Sequence, residues 1–297
     1  MKVFITGANG FVGTALSAFF VRRSHEVFAL VRNPSKAVGL PTGVKVIVGE
    51  STKPGKWQEN LHQYDLFINL AGASIFRRWD DDYKKLLRHS RISTTRNLVE
   101  AIPAKSTLLS TSAVGYYGMK DDEELDESSE SGNDFLARLA ADWEAEAMKA
   151  DQKVARVVIT RFGVVFGRDG GALAQIVKPF KFFVGGAIGS GNQWMSWIHI
   201  NDLCRAALLV AEDPQIQGPL NFCAPSPTRN RDLARQIGDI LGRPSFMPAP
   251  GFMINLVLGE FGSVILKGQR VFPKKLLSHG FSFNFPDVKS ALSDLLR

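Results

Sequence analysis

KVFITGANGFVG, residues Lys2 to Gly13, is a short apolar run, then three glycines spaced three apart, then the start of a helical pattern. The run Val3 to Ile5 predicts a buried parallel strand, and Ala15, Leu16, Phe19 and Phe20 recur on one face of the helix behind it. Gly7, Gly10 and Gly13 therefore stand where a strand turns into a helix. There Gly7 permits a tight turn, Gly10 lets a pyrophosphate approach the backbone, and Gly13 lets helix and strand pack closely. The helix amino end offers unpaired N–H groups to phosphates. Three glycines alone would serve any tight turn; the strand before them and the apolar helix after them favour a dinucleotide. The expected contacts are Gly7, Asn9, Gly10, Phe11, Val12 and Gly13.

Composition agrees. A chain of 297 residues with 45% hydrophobic content is long enough for one large α/β core and a smaller appendage. The net charge of +7 suits an anionic ligand, yet 36 Lys and Arg are scattered among 29 acidic residues, so no nucleic-acid partner is expected. Cys204 and Cys223 lie in apolar stretches without metal-ligand spacing and read as buried thiols of a reducing compartment; no metal site is expected. The first residues already read as strand, so no targeting signal is expected and the location is read as cytoplasmic. The longest apolar tract, Gly251 to Leu266, is broken by Asn255 and Glu260 and falls short of a membrane span.

The second strand, Glu26 to Val31, ends at Arg32 rather than at a carboxylate. NAD-preferring sites place Asp or Glu here for the ribose 2′-hydroxyl; Arg32, with Lys36 behind it, suits the 2′-phosphate of NADP, although a solvated arginine is the alternative. Val44 to Val48 and Asp65 to Leu70 read as strands three and four. The small residues after Leu70, Ala71 and Gly72, let a cofactor lie against backbone where the fourth strand leaves the sheet, or serve packing alone. Arg77 and Arg78 beside Trp79 offer a phosphate contact at the presumed lip of the cleft, or are merely solvated. Asp80 to Ile102 is helical by spacing, with Asp80 to Asp82 favourable at its amino end.

Thr107 to Ser112 form a fifth strand, and LLSTSAVGYYG carries the chain onward. TGANGFVG, DLFINLAGA, RISTTRNLVEA, LLSTSAVGYYG, RFGVVFG and SWIHINDL stand in the order found in extended short-chain dehydrogenase/reductases, which the chain resembles over most of its length. That family includes the nucleotide-sugar epimerases. The chain is more similar still to an atypical epimerase-like branch often labelled YfcH-like, in NLAGA, RRW, SAVGYYG, DFLA, DWE, GSGNQ, SWIHI and GPLNFCAPSP. The resemblance implies an α/β fold, a Rossmann doubly wound parallel sheet binding NADP, with a smaller carboxyl-terminal domain closing over a small-molecule substrate.

One departure is large. Extended members carry Tyr and Lys four positions apart on the helix after the fifth strand; the Tyr is the acid/base and the Lys lowers its pKa. In DFLARLAADWEAEA, from Asp134, Phe135 or Leu136 takes the tyrosine position and Leu139 or Ala140 the lysine position. Losing a positioned acid/base costs ~10²- to 10⁴-fold in rate. What remains is Ser112, matching the family's substrate-orienting serine, with Tyr116 and Tyr117 as neighbouring hydroxyls; turn-forming polar residues are as common at such a place. These three are the catalytic candidates. A tyrosine without its lysine stays near a pKa of about 10 unless the cofactor or an arginine such as Arg91 restores the charge, which adds Arg91 to the expected cofactor contacts. Trp143 and Glu144 read as helix packing and a surface charge.

Val154 to Arg161 read as the sixth strand, and the glycine- and aromatic-rich stretch from Asp169 to Trp194 as a substrate-facing cap, where Lys178 and Lys181 meet an acidic ligand or solvent. Ser196 to Ile200 return to strand, Asn201-Asp202 start a helix, and Leu220 to Cys223 form another strand. His199 reads as a core or site-wall residue. Helices are expected near Arg231 to Leu241, Phe252 to Leu258 and Asp287 to Leu296. The expected division is a Rossmann domain over 1–160, continued by 197–223, and substrate-side segments within 161–297, mainly 162–196 and 224–297. Two functions stay open: an NADP-dependent oxidoreductase or epimerase acting on a polar, phosphate-bearing metabolite, and an NADPH-binding protein without catalysis. The sequence also leaves a homodimer open.

Overall fold

The computed structural model describes residues 1–153, 155–168 and 170–297. β1 (Lys2–Thr6) turns into α1 (Phe11–Val21), followed by β2 (Glu26–Val31), β3 (Lys45–Val48), β4 (Leu66–Asn69) and α2 (Asp81–Ala101). Next come β5 (Thr107–Ala113), β6 (Glu124–Leu125), α3 (Phe135–Met148), β7 (Arg156–Phe162), β8 (Val164–Gly167) and α4 (Gly171–Lys181). β9 (Trp194–Met195), β10 (Trp197–His199), α5 (Ile200–Glu212), β11 (Gly218–Phe222), β12 (Thr228–Arg229) and α6 (Asn230–Leu241) continue the chain. It ends with α7 (Gly251–Leu258), α8 (Glu260–Leu266), β13 (Arg270–Val271), α9 (Lys274–Ser278) and α10 (Val288–Leu296).

Seven strands form one parallel sheet in the order β11-β7-β5-β4-β1-β2-β3. Strand order reverses at β1, so the crevice beyond the carboxyl ends of β1 and β4 is the place where a doubly wound sheet receives its ligand. Register aligns those ends: Thr6 pairs with Leu30 on one side and Asn69 on the other. Both faces of the sheet are covered, which is why its strands read as continuous apolar runs. Val3 and Ile5 pack with Leu16 and Phe20 of α1 and Leu203 of α5. Phe4, pointing the other way, packs with Phe67, with Leu98 of α2 and with Ala147 of α3. Phe4 is wholly buried among Trp57, Tyr64 and Phe67, and its truncation to Ala would cost about 3–5 kcal/mol. A separate core of Leu173, Phe180, Trp197, Leu233, Ile237 and Leu292 joins α4, α6 and α10 into the smaller C-terminal part.

Helix starts follow local chemistry. Asp80 and Asp134 accept the backbone N–H of Tyr83 (2.7 Å) and Ala137 (2.9 Å), capping α2 and α3. α5 begins at Ile200, ahead of the expected Asn201-Asp202 start, because the His199 ring Nδ1 accepts the Asn201 N–H at 3.0 Å. The expected strand at Ser196 to Ile200 is β10, and it pairs with β8 rather than with the main sheet. Val154, where the sixth strand was expected to begin, and Asp169, at the head of the cap stretch, lie outside the described residues; the sixth strand of the sheet runs over Arg156–Phe162.

Candidate functional site

At the carboxyl end of β1 the chain turns at Gly7, whose φ of +69° suits glycine, and a Cβ there would stand 2.9 Å from the backbone of Leu70 and Ala71. A Cβ on Gly13 would overlap the Gly7 carbonyl oxygen and lie 2.7 Å from Ala8 Cα, so α1 reaches this turn only because residue 13 is glycine. The N-cap of α1 is Gly10, which has no side chain to cap the helix, and the first turn carries no acidic residue. The amides of Phe11, Val12 and Gly13 therefore remain open to an anion. Asn9 and Gly10 are exposed beside them, while the Phe11 ring packs on Gly167, Gly170 and Gly171 and ties α1 to the segment after β8.

Arg32 stands exposed directly after β2, as does Lys36 just beyond, and neither has an ion-pair partner among the described residues. The N–H groups of Leu70 and Ala71 donate to Thr6 Oγ1 at 3.2 and 3.3 Å, and Thr6 donates to Asn69 Oδ1 at 2.8 Å, fixing where β4 leaves the sheet. Gly72 follows, exposed, against the Arg91 guanidinium. Arg91 donates to the Leu87 carbonyl at 3.2 Å and lies 5.2 Å from the Trp143 ring, with no carboxylate partner among the described residues. Burial pulls its pKa down to about 10. A shielded cation without a counter-charge fits an anion bound along Gly72.

Arg77 is spent differently: its guanidinium lies 4.2 Å from the Tyr83 ring. Arg78 donates to the Leu256 carbonyl at 3.1 Å, and Trp79, read as a lip residue, is buried with its indole N–H on the Ile75 carbonyl.

The exit of β5 holds a buried polar cluster. β5 and β7 pair so that Ser112 lies opposite Arg161. Ser112 Oγ donates to Glu144 Oε1 at 2.6 Å, and Arg161 grips both Glu144 oxygens at 2.9 and 2.8 Å. Glu144 is thus not the surface charge expected from the sequence: α3 turns it inward onto Arg161, where it is 9% exposed. Burial works against the Arg161 charge, and the Glu144 carboxylate more than offsets it, so the guanidinium holds its proton more tightly than usual. Arg161 also donates to Tyr117 Oη at 3.0 Å, and Tyr117 donates to Asn221 Oδ1 at 2.7 Å. Tyr117 is wholly buried, and burial pushes its hydroxyl pKa up despite the pull of Arg161 and Asn221. That geometry argues against Tyr117 as a proton carrier. Tyr116 is half-buried with its ring 3.5 Å from the Arg161 guanidinium carbon. Ser112, 1% exposed, spends its proton on Glu144.

Where the Tyr–Lys pair stands in extended reductases, this chain places apolar packing. A Cβ on Gly115 would be 3.6 Å from that of Leu136, and Leu139 is buried with Trp79, Tyr83 and Phe261. On the C-terminal side a cavity of about 280 Å³ is lined by Asp122, Asn192, Trp194, Arg229 and Lys267. The Trp194 ring there lies 4.4 Å from the Arg229 and 4.8 Å from the Arg270 guanidinium carbon. His199 is buried, bonded to Asp294 at 3.2 Å and stacked on Phe285, as a core residue. Cys204 and Cys223 are free and buried. The sequence reading missed Glu144, Arg161 and Asn221. A charged residue ending the apolar run RVVITRF was the available signal for Arg161; nothing local marked its partners.

Comparison with known proteins matches residues 3–221 to the NAD dependent epimerase/dehydratase family and residues 249–295 to a domain of unknown function, DUF1731. The whole chain is 38% identical to the epimerase family protein SDR39U1 homolog, chloroplastic, of Arabidopsis thaliana, covering 87% of it. It is 36% identical to the epimerase family protein YfhF of Bacillus subtilis, covering 98%. The crystal structure of human epimerase family protein SDR39U1 (isoform 2) with NADPH superposes with a TM-score of 0.86 at 33% identity, over 99% of both chains. A UDP-glucose 4-epimerase from Thermus thermophilus in complex with NAD shares the fold, with a TM-score of 0.80 at 18% identity over 100% of this chain and 98% of that one. The chain belongs to the NAD dependent epimerase/dehydratase family, among its SDR39U1- and YfhF-like epimerase family proteins.

Proposed function

We propose that the protein binds NADP(H) at the carboxyl edge of the sheet and acts in the cytoplasm on a small polar, phosphate-bearing metabolite, with NADPH as hydride donor in a reduction or with NADP⁺ taking up and returning a hydride in an epimerisation. The observation that carries the cofactor assignment is the pairing of the uncapped first turn of α1 with the free, exposed Arg32 at the end of β2. The amides of Phe11 to Gly13 would hold the pyrophosphate and Arg32 the 2′-phosphate. Leu70, Ala71 and Gly72 would line the cofactor's path, and Arg91 would supply a second cation beside Gly72. Arg77 would hold its phosphate only by leaving the Tyr83 ring. The human relative crystallised with NADPH supports this choice of cofactor. When bound, NADPH supplies a hydride.

The chain's own residues must then move the proton without a Tyr–Lys pair. Tyr116 is the hydroxyl best suited, being half-buried beside the Arg161 guanidinium, whereas Tyr117 and Ser112 are committed to buried hydrogen bonds. In the cavity between Trp194, Arg229 and Lys267, Arg229 is paired with Asp122 at 2.7 Å, which leaves Lys267 as the cation for a phosphate. Those buried commitments also support a second reading, an NADPH-binding protein without turnover. The deciding experiment incubates the protein with NADPH deuterated at the transferring carbon and a metabolite panel. Deuterium in a product, with the transfer slowed in Tyr116→Phe at unchanged cofactor affinity, supports the enzyme, as does an epimer formed in a parallel incubation with NADP⁺; binding with neither outcome supports the second reading.

A further inference from the structure

Apolar side chains stand in the open on two segments of the C-terminal part. Phe182 (76% exposed) follows α4, Phe246 (72%) precedes α7, and Phe252 (73%) and Leu256 (72%) lie on α7, none of whose residues is buried. The segments are neighbours: Met247 N–H donates to the Gly185 carbonyl at 3.2 Å, Ala249 N–H to Ala187 at 2.9 Å, and Gly189 N–H to Ala249 at 2.8 Å. With a full aromatic side chain at 150–250 Å², these four residues alone leave on the order of 500 Å² of apolar surface, the size at which an exposed patch marks an interaction site.

Charge decides the occupant. From Gly170 to Asn201 and from Ile240 to Gly259 the sequence has no Asp or Glu; its charged side chains there are Lys178, Lys181 and Arg243. All three are exposed without an ion-pair partner among the described residues, and Arg243 lies 4.1 Å from the Phe183 ring. A second copy would bring like charges together. Among the described residues no helix is long and apolar enough to cross a membrane, so contact would be peripheral.

We propose that this face docks on an anionic lipid surface, with Phe182, Phe246, Phe252 and Leu256 entering the headgroup boundary and Lys178, Lys181 and Arg243 meeting lipid phosphates. Apolar insertion and basic attraction reinforce each other at such a surface, and each alone binds weakly.

The test is flotation of the full chain with phosphatidylcholine vesicles, with and without phosphatidylglycerol. Binding is expected only with phosphatidylglycerol, weakening as salt rises. Phe252→Asp combined with Leu256→Asp should lower it by at least about tenfold while the thermal midpoint stays unchanged, both positions being exposed. Arg243→Glu should weaken it at low salt. No binding to phosphatidylglycerol vesicles overturns the proposal, as does equal binding to pure phosphatidylcholine. A dimer in sedimentation velocity that the double variant dissociates, without vesicle binding, would assign the face to a second copy and overturn it too.

Discussion

Glu144→Gln tests whether the cluster at the end of β5 is held by charge. Arg161 is 4% and Glu144 11% exposed at the side chain, and two hydrogen bonds join them, with Ser112 as a third ligand of the carboxylate. Glutamine keeps the shape but presents an NH₂ where Arg161 needs an acceptor, leaving a buried guanidinium uncompensated. Breaking such a pair from one side costs about 3–5 kcal/mol, a large part of a total stability of about 5–15 kcal/mol. Urea unfolding followed by tryptophan fluorescence should show the midpoint falling at an unchanged slope. Glu144→Leu with Arg161→Met should recover most of the loss, because a buried pair is worth little against apolar residues of similar volume. A Glu144→Gln protein within about 1 kcal/mol of wild type, or a double variant weaker than the single, refutes the reasoning.

Four further outcomes are expected. Arg32→Ala should remove most of a tenfold to hundredfold preference for NADPH over NADH, one charge-assisted contact being worth ~1.5–3 kcal/mol, with no change in melting since Arg32 has no ion-pair partner among the described residues; fluorescence titration of both cofactors checks it. Gly13→Val should impair folding as well as binding, because its Cβ overlaps the Gly7 carbonyl; soluble yield and thermal midpoint report the first, and normal melting with merely weaker binding would contradict it. Arg91→Met should raise the apo protein's thermal midpoint and weaken NADPH binding by about tenfold or more, since the shielded cation lacks a carboxylate; calorimetry with and without cofactor separates the two. Burial lowers the His199 pKa, so the unfolded chain takes up that proton first. Stability should be full above about pH 6.5 and fall as pH drops toward the depressed folded value, a slope that His199→Gln reduces in urea titrations across that range.

The sequence by itself determined the glycine turn, the strands that flank it and Arg32 at the end of β2, because each depends on neighbours within about twenty residues: strand period, helix phase, turn chemistry. It also exposed the missing Tyr–Lys pair, since two positions on one helix are read directly. Tertiary structure alone decided what the remaining hydroxyls do. Ser112 meets a carboxylate 32 residues away, and Tyr117 an amide 104 residues away. Those meetings follow from the β5–β7 register and from the rotation of α3 and the placement of β11 against the sheet. No local pattern encodes such long-range pairings, and a glutamate on a helix reads as a surface charge until its partner strand is in place. The uncovered face of α7 has the same origin: the sequence predicts an apolar helix near Phe252 to Leu258, and only the packed structure leaves its side chains in the open.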